Sequence, residues 1–172
     1  MTVLDNDRHE PPNGDTRIDD VATLRVHRAG TIDLEALARL LADAGWLGQP
    51  TDWPDSPPGS ARYVTDLVLP LPPDGRMLSL RKAAIVDIGS PIPAEEGFDV
   101  EIAWRSASLA PMFPVFAGLL RARPNGLAID GRYAPPGGML GRAADRMLLH
   151  TAARGTARWL LGHIAGQLHA RT

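Results

Sequence analysis

The chain lacks cysteine, long apolar runs and, apart from Lys82, lysine. Without cysteine it can form neither disulfides nor thiolate zinc sites, and it cannot use a cysteine nucleophile. Its apolar runs all fall short of the roughly 20 residues that a membrane-spanning helix needs, so we expect no transmembrane segment. The first residues, MTVLDNDRHEPPNGD, contain early acidic groups instead of an apolar core. We therefore predict no secretory signal and a cytoplasmic location.

Charge and composition indicate a folded domain with an acidic extension. The 172 residues are 44% apolar and 22% charged, and the net charge of −2 gives no electrostatic reason to expect a nucleic-acid partner. Residues 1–20 are rich in Asp and contain Pro11-Pro12-Asn13-Gly14, which is typical of a flexible tail. We predict a single domain over residues 21–172.

Motifs for common chemistries are missing. The sequence contains no G-x-S-x-G, P-loop or H-E-x-x-H pattern. No two of the five histidines are spaced i, i+4 on one helix. We therefore expect no metal site and no cofactor.

The hydrophobic pattern predicts a run of strands followed by one long helix. The segment Arg123-Pro124-Asn125-Gly126 predicts a hairpin turn before the last strand, and Thr31 or Asp33 is the expected cap of the first helix. The dense prolines of residues 46–60 exclude a regular element there, and we expect Trp46 and Trp53 to pin this loop. The predicted elements are strand 21–27, helix 34–44, strands 63–69, 76–88, 98–105, 113–123 and 127–133, and helix 141–172.

The clearest alternation lies in residues 98–105, where Phe98, Val100, Ile102 and Trp104 are expected to face inward. Consecutive alternating strands with short turns predict an antiparallel sheet with one polar face. The fold class is therefore α+β, with a curved antiparallel sheet covered by the long C-terminal helix and one shorter helix after the first strand.

The terminal helix has two different halves along its apolar stripe. Its second half has bulky residues, and its first half has Arg146, His150, Ala153 and Ala157 at nearly the same angular position. The small alanines predict space beneath the helix, edged by Arg146 and His150. The alternative is that the alanines pack closely on the sheet while the two polar residues extend to solvent. The stripe consists of Leu149, Ala153, Ala157, Leu160, Leu161, Ile164 and Leu168.

The opposite helix face contains Gly155, Gly162 and Gly166 beside Trp159. Aligned glycines permit close approach of another backbone, so we predict contact with the loop of residues 46–60, with a second subunit as the alternative. A monomer or weak homodimer is the expected state.

The segments 113–120 (FPVFAGLL) and 131–138 (GRYAPPGG), followed by Gly141, Asp145 and the long helix, resemble the C-terminal half of START-like helix-grip proteins. This is the SRPBCC, or polyketide cyclase and lipid-transport, superfamily. The resemblance implies a curved sheet wrapped around the terminal helix with a deep apolar cavity between them. It also implies binding of lipids, hormones or polyketides, and in some members cyclisation or dehydration. The proline-rich segment 46–60 departs from the family, which commonly has a second short helix there.

Three functions remain open. The first is binding of a mainly hydrophobic small molecule of lipid-, sterol- or polyketide-like character. The second is a cyclase or dehydratase that uses His150 as acid or base, because histidine ordinarily titrates near neutral pH, with Arg146 or Lys82 stabilising an oxyanion. The third is an interaction module that uses the basic face of the terminal helix. We expect binding rather than catalysis. The predicted ligand-binding residues are Trp104, Phe113, Phe116, Tyr133, Arg146, His150, Ala153 and Ala157.

Overall fold

A computed structural model describes residues 22–43, 45–51, 59–71, 78–107, 115–134 and 143–171, and for residues 68–71, 78–82, 134 and 143–149 it describes the backbone only. The strands and helices follow one another in the predicted order, with one additional short strand. The elements are β1 (Ala22–Ala29), α1 (Leu34–Ala42), β2 (Gln49–Pro50), β3 (Ala61–Leu71), β4 (Leu78–Ala94), β5 (Gly97–Ser106), β6 (Val115–Arg123), β7 (Gly126–Ala134) and α2 (Ala143–Ala170).

The seven strands form one antiparallel sheet in the order β1-β7-β6-β5-β4-β3-β2. Helix α2 packs mainly against β3, near one edge of the sheet, and against β1 and β7, at the other edge. One helix contacts strands near both edges because the sheet curves around it. The predicted α+β class, with a curved antiparallel sheet and a long C-terminal helix, is confirmed.

Strand β5 shows why the sheet has an inner and an outer face. Phe98, Val100, Ile102 and Trp104 are all buried, as their alternation predicts. Asp99 on the outer face forms an ion pair with Arg123 at 2.8 Å. Burying one face of each strand removes apolar surface from water and leaves charged groups solvated on the other.

Helix α1 begins where the capping pattern predicts. The Asp33 carboxylate accepts hydrogen bonds from the backbone N–H groups of Glu35 and Ala36, at 3.0 and 2.9 Å. These bonds satisfy donors that have no partner within the helix. The helix ends at Ala42, two residues before the predicted end, and its apolar face is buried through Leu37, Leu40 and Leu41.

Strand β4 passes through a segment that the sequence predicts as a break. It continues to Ala94, and Pro91 and Pro93 lie opposite Val100 and Phe98 of β5. The ladder between β3 and β4 stops at Ile88, and among the described residues no strand pairs with that edge of β4 further along. Proline is tolerated on such an edge because its missing N–H is not required there. The strand predicted to end at residue 88 therefore continues to Ala94, and the break before β5 is confined to the turn at Glu95 and Glu96.

The loop that follows α1 is anchored by Trp46, as predicted. The Trp46 side chain is buried, and its ring makes an edge contact with Tyr63 at a centroid distance of 6.3 Å. His163 Nε2 donates to the Trp46 carbonyl oxygen at 3.2 Å, and the His163 ring stacks on Trp159 at 5.2 Å. The predicted contact between this loop and α2 therefore runs through His163. Trp53 lies outside the described residues, and β2 corrects the expectation that the loop contains no regular element.

The buried stripe of α2 includes Ala153, Ala157, Leu160, Leu161 and Ile164, as predicted. Leu168 is partly buried, and the Leu149 side chain is not described. The expected close backbone approach at the glycine face is wrong for two of its residues: a Cβ atom added at Gly162 or Gly166 would meet nothing within 4 Å. Within the described ranges, neither helix is long and apolar enough to cross a membrane.

Candidate functional site

Three aromatic residues lie side by side on the inner face of the sheet. The ladders place Trp104 of β5 opposite Phe116 of β6, and Phe116 opposite Tyr133 of β7. All three side chains are buried, with exposed fractions of 1%, 0% and 4%. We call Trp104, Phe116 and Tyr133 the aromatic row. It forms a continuous apolar surface across three central strands.

The ring of Phe116 is held between another aromatic ring and the backbone. Its centroid lies 3.9 Å from that of Trp104, with 15° between the ring planes. On β6 and β7 the ring lies over Gly118 and Gly131, which face each other in the ladder. A Cβ atom at Gly118 would lie 2.8 Å from Phe116 Cζ, and one at Gly131 would lie 2.6 Å from it. Glycine is needed at both positions because any larger residue would displace the ring.

Tyr133 connects the aromatic row to α2. Its hydroxyl oxygen lies 3.1 Å from Nδ1 of His150, which is partly exposed in the first half of the helix. Burial raises the pKa of Tyr133 above its ordinary value. The phenol therefore keeps its proton at neutral pH, and its oxygen can donate to Nδ1 or accept from it, according to the tautomer of His150.

Among the buried polar atoms that have no hydrogen-bond partner within the described residues are Nε1 of Trp104 and Oγ1 of Thr156. The side chains of Trp104 and Thr156 are 1% and 0% exposed. Thr156 lies on α2 one turn after Ala153. An unsatisfied buried donor or acceptor costs about 1–3 kcal/mol, so native proteins seldom leave one without a reason.

The structure brings together four of the predicted site residues, namely Trp104, Phe116, Tyr133 and His150. Ala153 and Ala157 lie on the sheet-facing side of α2 and have no exposed surface. Phe113 lies outside the described residues, and the side chains of Arg146 and Lys82 are not described. Their role in the site remains a prediction.

Sequence reasoning missed Thr156. It lies three residues after Ala153 and four before Leu160, within the helical stripe, and it is fully buried there. A count of all residues on that face, including polar ones, would have found it.

The described side chains include no group of three or more His, Asp or Glu residues that could hold a metal ion. The aromatic row offers an apolar wall with three hydrogen-bonding groups, namely the indole N–H of Trp104, the hydroxyl of Tyr133 and the imidazole of His150. Helix α2 additionally carries the buried hydroxyl of Thr156. This combination is typical of sites that enclose and orient a small organic molecule.

A separate groove of about 630 Å³ lies on the outer face of the sheet, where β4, β5 and β6 meet. Its walls include Asp87, Glu101 and the exposed Ile92. Asp87 accepts two hydrogen bonds from the almost completely buried Arg62, at 2.6 and 3.0 Å. This groove is on the face opposite the aromatic row.

No protein-family model matches the chain, and no curated protein matches its sequence. One solved structure is similar: DynU16, a protein in the dynemicin biosynthetic locus. The two sequences are 17% identical, and the TM-score is 0.36. The similarity covers 88% of this chain and 48% of DynU16, so the chain spans about half the length of that structure.

Proposed function

We propose that the protein binds a mainly hydrophobic small molecule between the aromatic row and the first half of α2. The observation that supports this most directly is that two buried polar atoms, Trp104 Nε1 and Thr156 Oγ1, have no hydrogen-bond partner within the described residues. A ligand with a hydrogen-bond acceptor that reached either atom would remove the cost of leaving it unsatisfied. We also propose that the chain is a START-like protein and that residues 21–172 form a single domain.

Binding has to involve movement of side chains or of α2. Ala153, Ala157 and Phe116 have no exposed surface, so no water-sized space borders them in this conformation. A ligand would separate α2 from the aromatic row or rotate the Phe116 ring away from Trp104. Either change alters the surroundings of the Trp104 indole, so bound ligand should change the tryptophan emission of the protein.

The experiment combines native mass spectrometry of the purified full chain with titration of a hydrophobic fluorescent probe. We expect a co-purifying small molecule, or saturable probe binding that Ala153→Leu abolishes. Ala165→Leu is the matched control, since Ala165 is also buried on α2 but lies three turns further along. Both substitutions add the same volume to the core and should cost about 1–3 kcal/mol of stability. Probe binding that is equal in the two folded variants would contradict the proposal.

A second candidate is an enzyme that uses His150 as acid or base in the same place. The hydrogen bond between Tyr133 and Nδ1 of His150 favours it, because a catalytic histidine needs a partner that fixes its tautomer. With Nδ1–H donating to the phenol oxygen, Nε2 would act as a base toward a bound carbonyl compound. With the phenol donating to Nδ1, Nε2–H would act as an acid. If turnover of an enolisable ketone is detected, His150→Gln should abolish it and Tyr133→Phe should reduce it. Unchanged turnover in His150→Gln would exclude this role.

A further inference from the structure

A depression of about 350 Å³ lies on the outer face of the sheet, over β1, β7 and β6. Its floor is made by small residues of β7, Gly126 and Ala128. Its rim is made by long side chains from the strands on either side. The polar residues that line it are Arg25, His27, Arg121, Arg123, Asn125 and Asp130.

The ladder registers explain why these side chains surround an open floor. On β7, Ala128 has His27 of β1 as its neighbour on one side and Arg121 of β6 on the other. Asp130, two residues further along the same face, lies opposite Arg25. The Ala128 side chain is a single methyl group, whereas His27 and Arg121 beside it are long. The ends of these long side chains therefore surround a depression.

The carboxylate of Asp130 contacts both Arg25 and Arg121 in this depression. Asp130 Oδ1 accepts a hydrogen bond from Nε of Arg25 at 2.6 Å, and Asp130 Oδ2 lies 3.1 Å from Nε of Arg121. Because each guanidinium is held through Nε, its two Nη groups remain available as donors. Within the described ranges neither arginine has another hydrogen-bond partner, and one carboxylate balances only one of the two positive charges.

Arg123 has a different role from the other two arginines. Its Nη1 donates to the carbonyl oxygens of Phe98 and Ala122, at 3.0 and 2.8 Å, and its Nη2 pairs with Asp99. Its donors are thus already used to join β5 and β6. The excess positive charge of the depression comes from Arg25 and Arg121.

From this geometry we propose that the depression is an oxyanion site that takes a phosphate monoester group. Two guanidinium groups that share one carboxylate partner can give N–H···O bonds to the same phosphate, whose three oxygens and charge near −2 match both of them. A carboxylate ligand has only two oxygens and a single charge, so it should bind the two arginines more weakly than a phosphate does. His27 and Asn125 lie at the rim, where they can donate to the same group. The site is on the face opposite the aromatic row and does not depend on ligand binding there.

The test is an NMR titration of the full chain with inorganic phosphate at constant ionic strength, with acetate as the weaker comparison. We expect saturable shifts in the Nε–H signals of Arg25 and Arg121 and in the amides of residues 125–130. The double variant Arg25→Gln/Arg121→Gln should bind phosphate at least about tenfold more weakly, because it loses two charge-assisted donors. Arg105→Gln, on the exposed outer face of β5, is the matched control and should bind as the unaltered protein does.

A second variant tests the site without removing its arginines. Ala128→Glu places a carboxylate on the floor, where it would pair with the two guanidinium groups and exclude phosphate. Vesicles that contain phosphatidic acid, compared with phosphatidylcholine vesicles, show whether the phosphate can belong to a lipid headgroup as well as to a soluble molecule. The proposal is overturned if phosphate gives no saturable shifts at these residues, or if the double variant and Ala128→Glu retain the affinity of the unaltered protein.

Discussion

The hydroxyl oxygen of Tyr133 lies 3.1 Å from Nδ1 of His150, and this bond ties the last strand of the sheet to the first half of α2. The phenol is buried while the imidazole is partly exposed. The bond therefore links the apolar interior with a position that solvent can reach.

Tyr133→Phe removes this hydroxyl and nothing else. We expect the free energy of unfolding to fall by about 1 kcal/mol, the usual net value of a hydrogen bond, when it is measured by urea denaturation. His150→Ala and the double variant Tyr133→Phe/His150→Ala complete a double-mutant cycle, in which the two losses should not add because both changes remove the same bond. Additive losses would contradict this interpretation.

Gly162→Ala and Gly166→Ala should each stabilise the protein by about 0.5–1 kcal/mol. Glycine weakens a helix relative to alanine, and the added Cβ atom meets no neighbour at either position. Thermal denaturation of the single and double variants measures the effect, which should be additive. Gly118→Ala is the contrasting change: its Cβ would lie 2.3 Å from the carbonyl oxygen of Asp130, and we expect destabilisation of at least about 1–3 kcal/mol. If Gly162→Ala instead lowers stability, a contact absent from this structure covers that face.

Asp87→Ala should destabilise the protein by about 3–5 kcal/mol. The Arg62 side chain is 1% exposed, and the substitution removes a carboxylate that forms an ion pair with this buried charge. Glu35→Ala, which breaks the exposed pair between Glu35 and Arg39, provides the comparison and should cost less than about 1 kcal/mol. Urea denaturation of both variants checks the difference. Equal losses would mean that Arg62 is solvated in the protein.

Arg171 should determine the acid titration of Asp43. The hydrogen bond from Arg171, followed by that from the Gly45 N–H, lowers the pKa of Asp43 below its ordinary value of 3.8. Because the folded-state pKa is the lower one, the contribution to stability is present above about pH 4 and is lost as the pH falls through that lowered value. In Arg171→Gln, an NMR titration of the Asp43 carboxyl carbon should show a higher pKa, still below 3.8. Arg158→Gln should leave it unchanged, and the same shift in both variants would exclude a specific pair.

The aromatic row shows which part of the site could be predicted. A two-residue turn at Pro124 and Asn125 fixes the register of β6 and β7, and this register places Phe116 beside Tyr133. The alternation of β5 is strong enough to turn Trp104 inward. Which residue of β6 faces Trp104 could not be derived, because the sequence of residues 107–114 contains no turn motif that would fix the register of the two strands.

Other features depend on neighbours that no local pattern reveals. In the sequence, Pro91 and Pro93 predict the end of a strand. They are tolerated in β4 because its ladder with β3 does not extend beyond Ile88. Thr156 is polar, so a search for apolar spacing passes over it although its helical position is buried. The depression formed by Arg25 and Arg121 requires two residues far apart in the chain to meet over the same strand.

The pairing of β1 with β7 also sets the order in which the chain can fold. Arg25 and Asp130, which face each other in that ladder, are 105 residues apart in the sequence. During synthesis β1 has no partner strand until β7 has left the ribosome, and α2, which covers both, comes later still. The hairpins β3–β4, β4–β5 and β6–β7 can form earlier from local contacts. Such a high share of distant contacts predicts slow refolding, in milliseconds to seconds, with a late step in which the first strand docks.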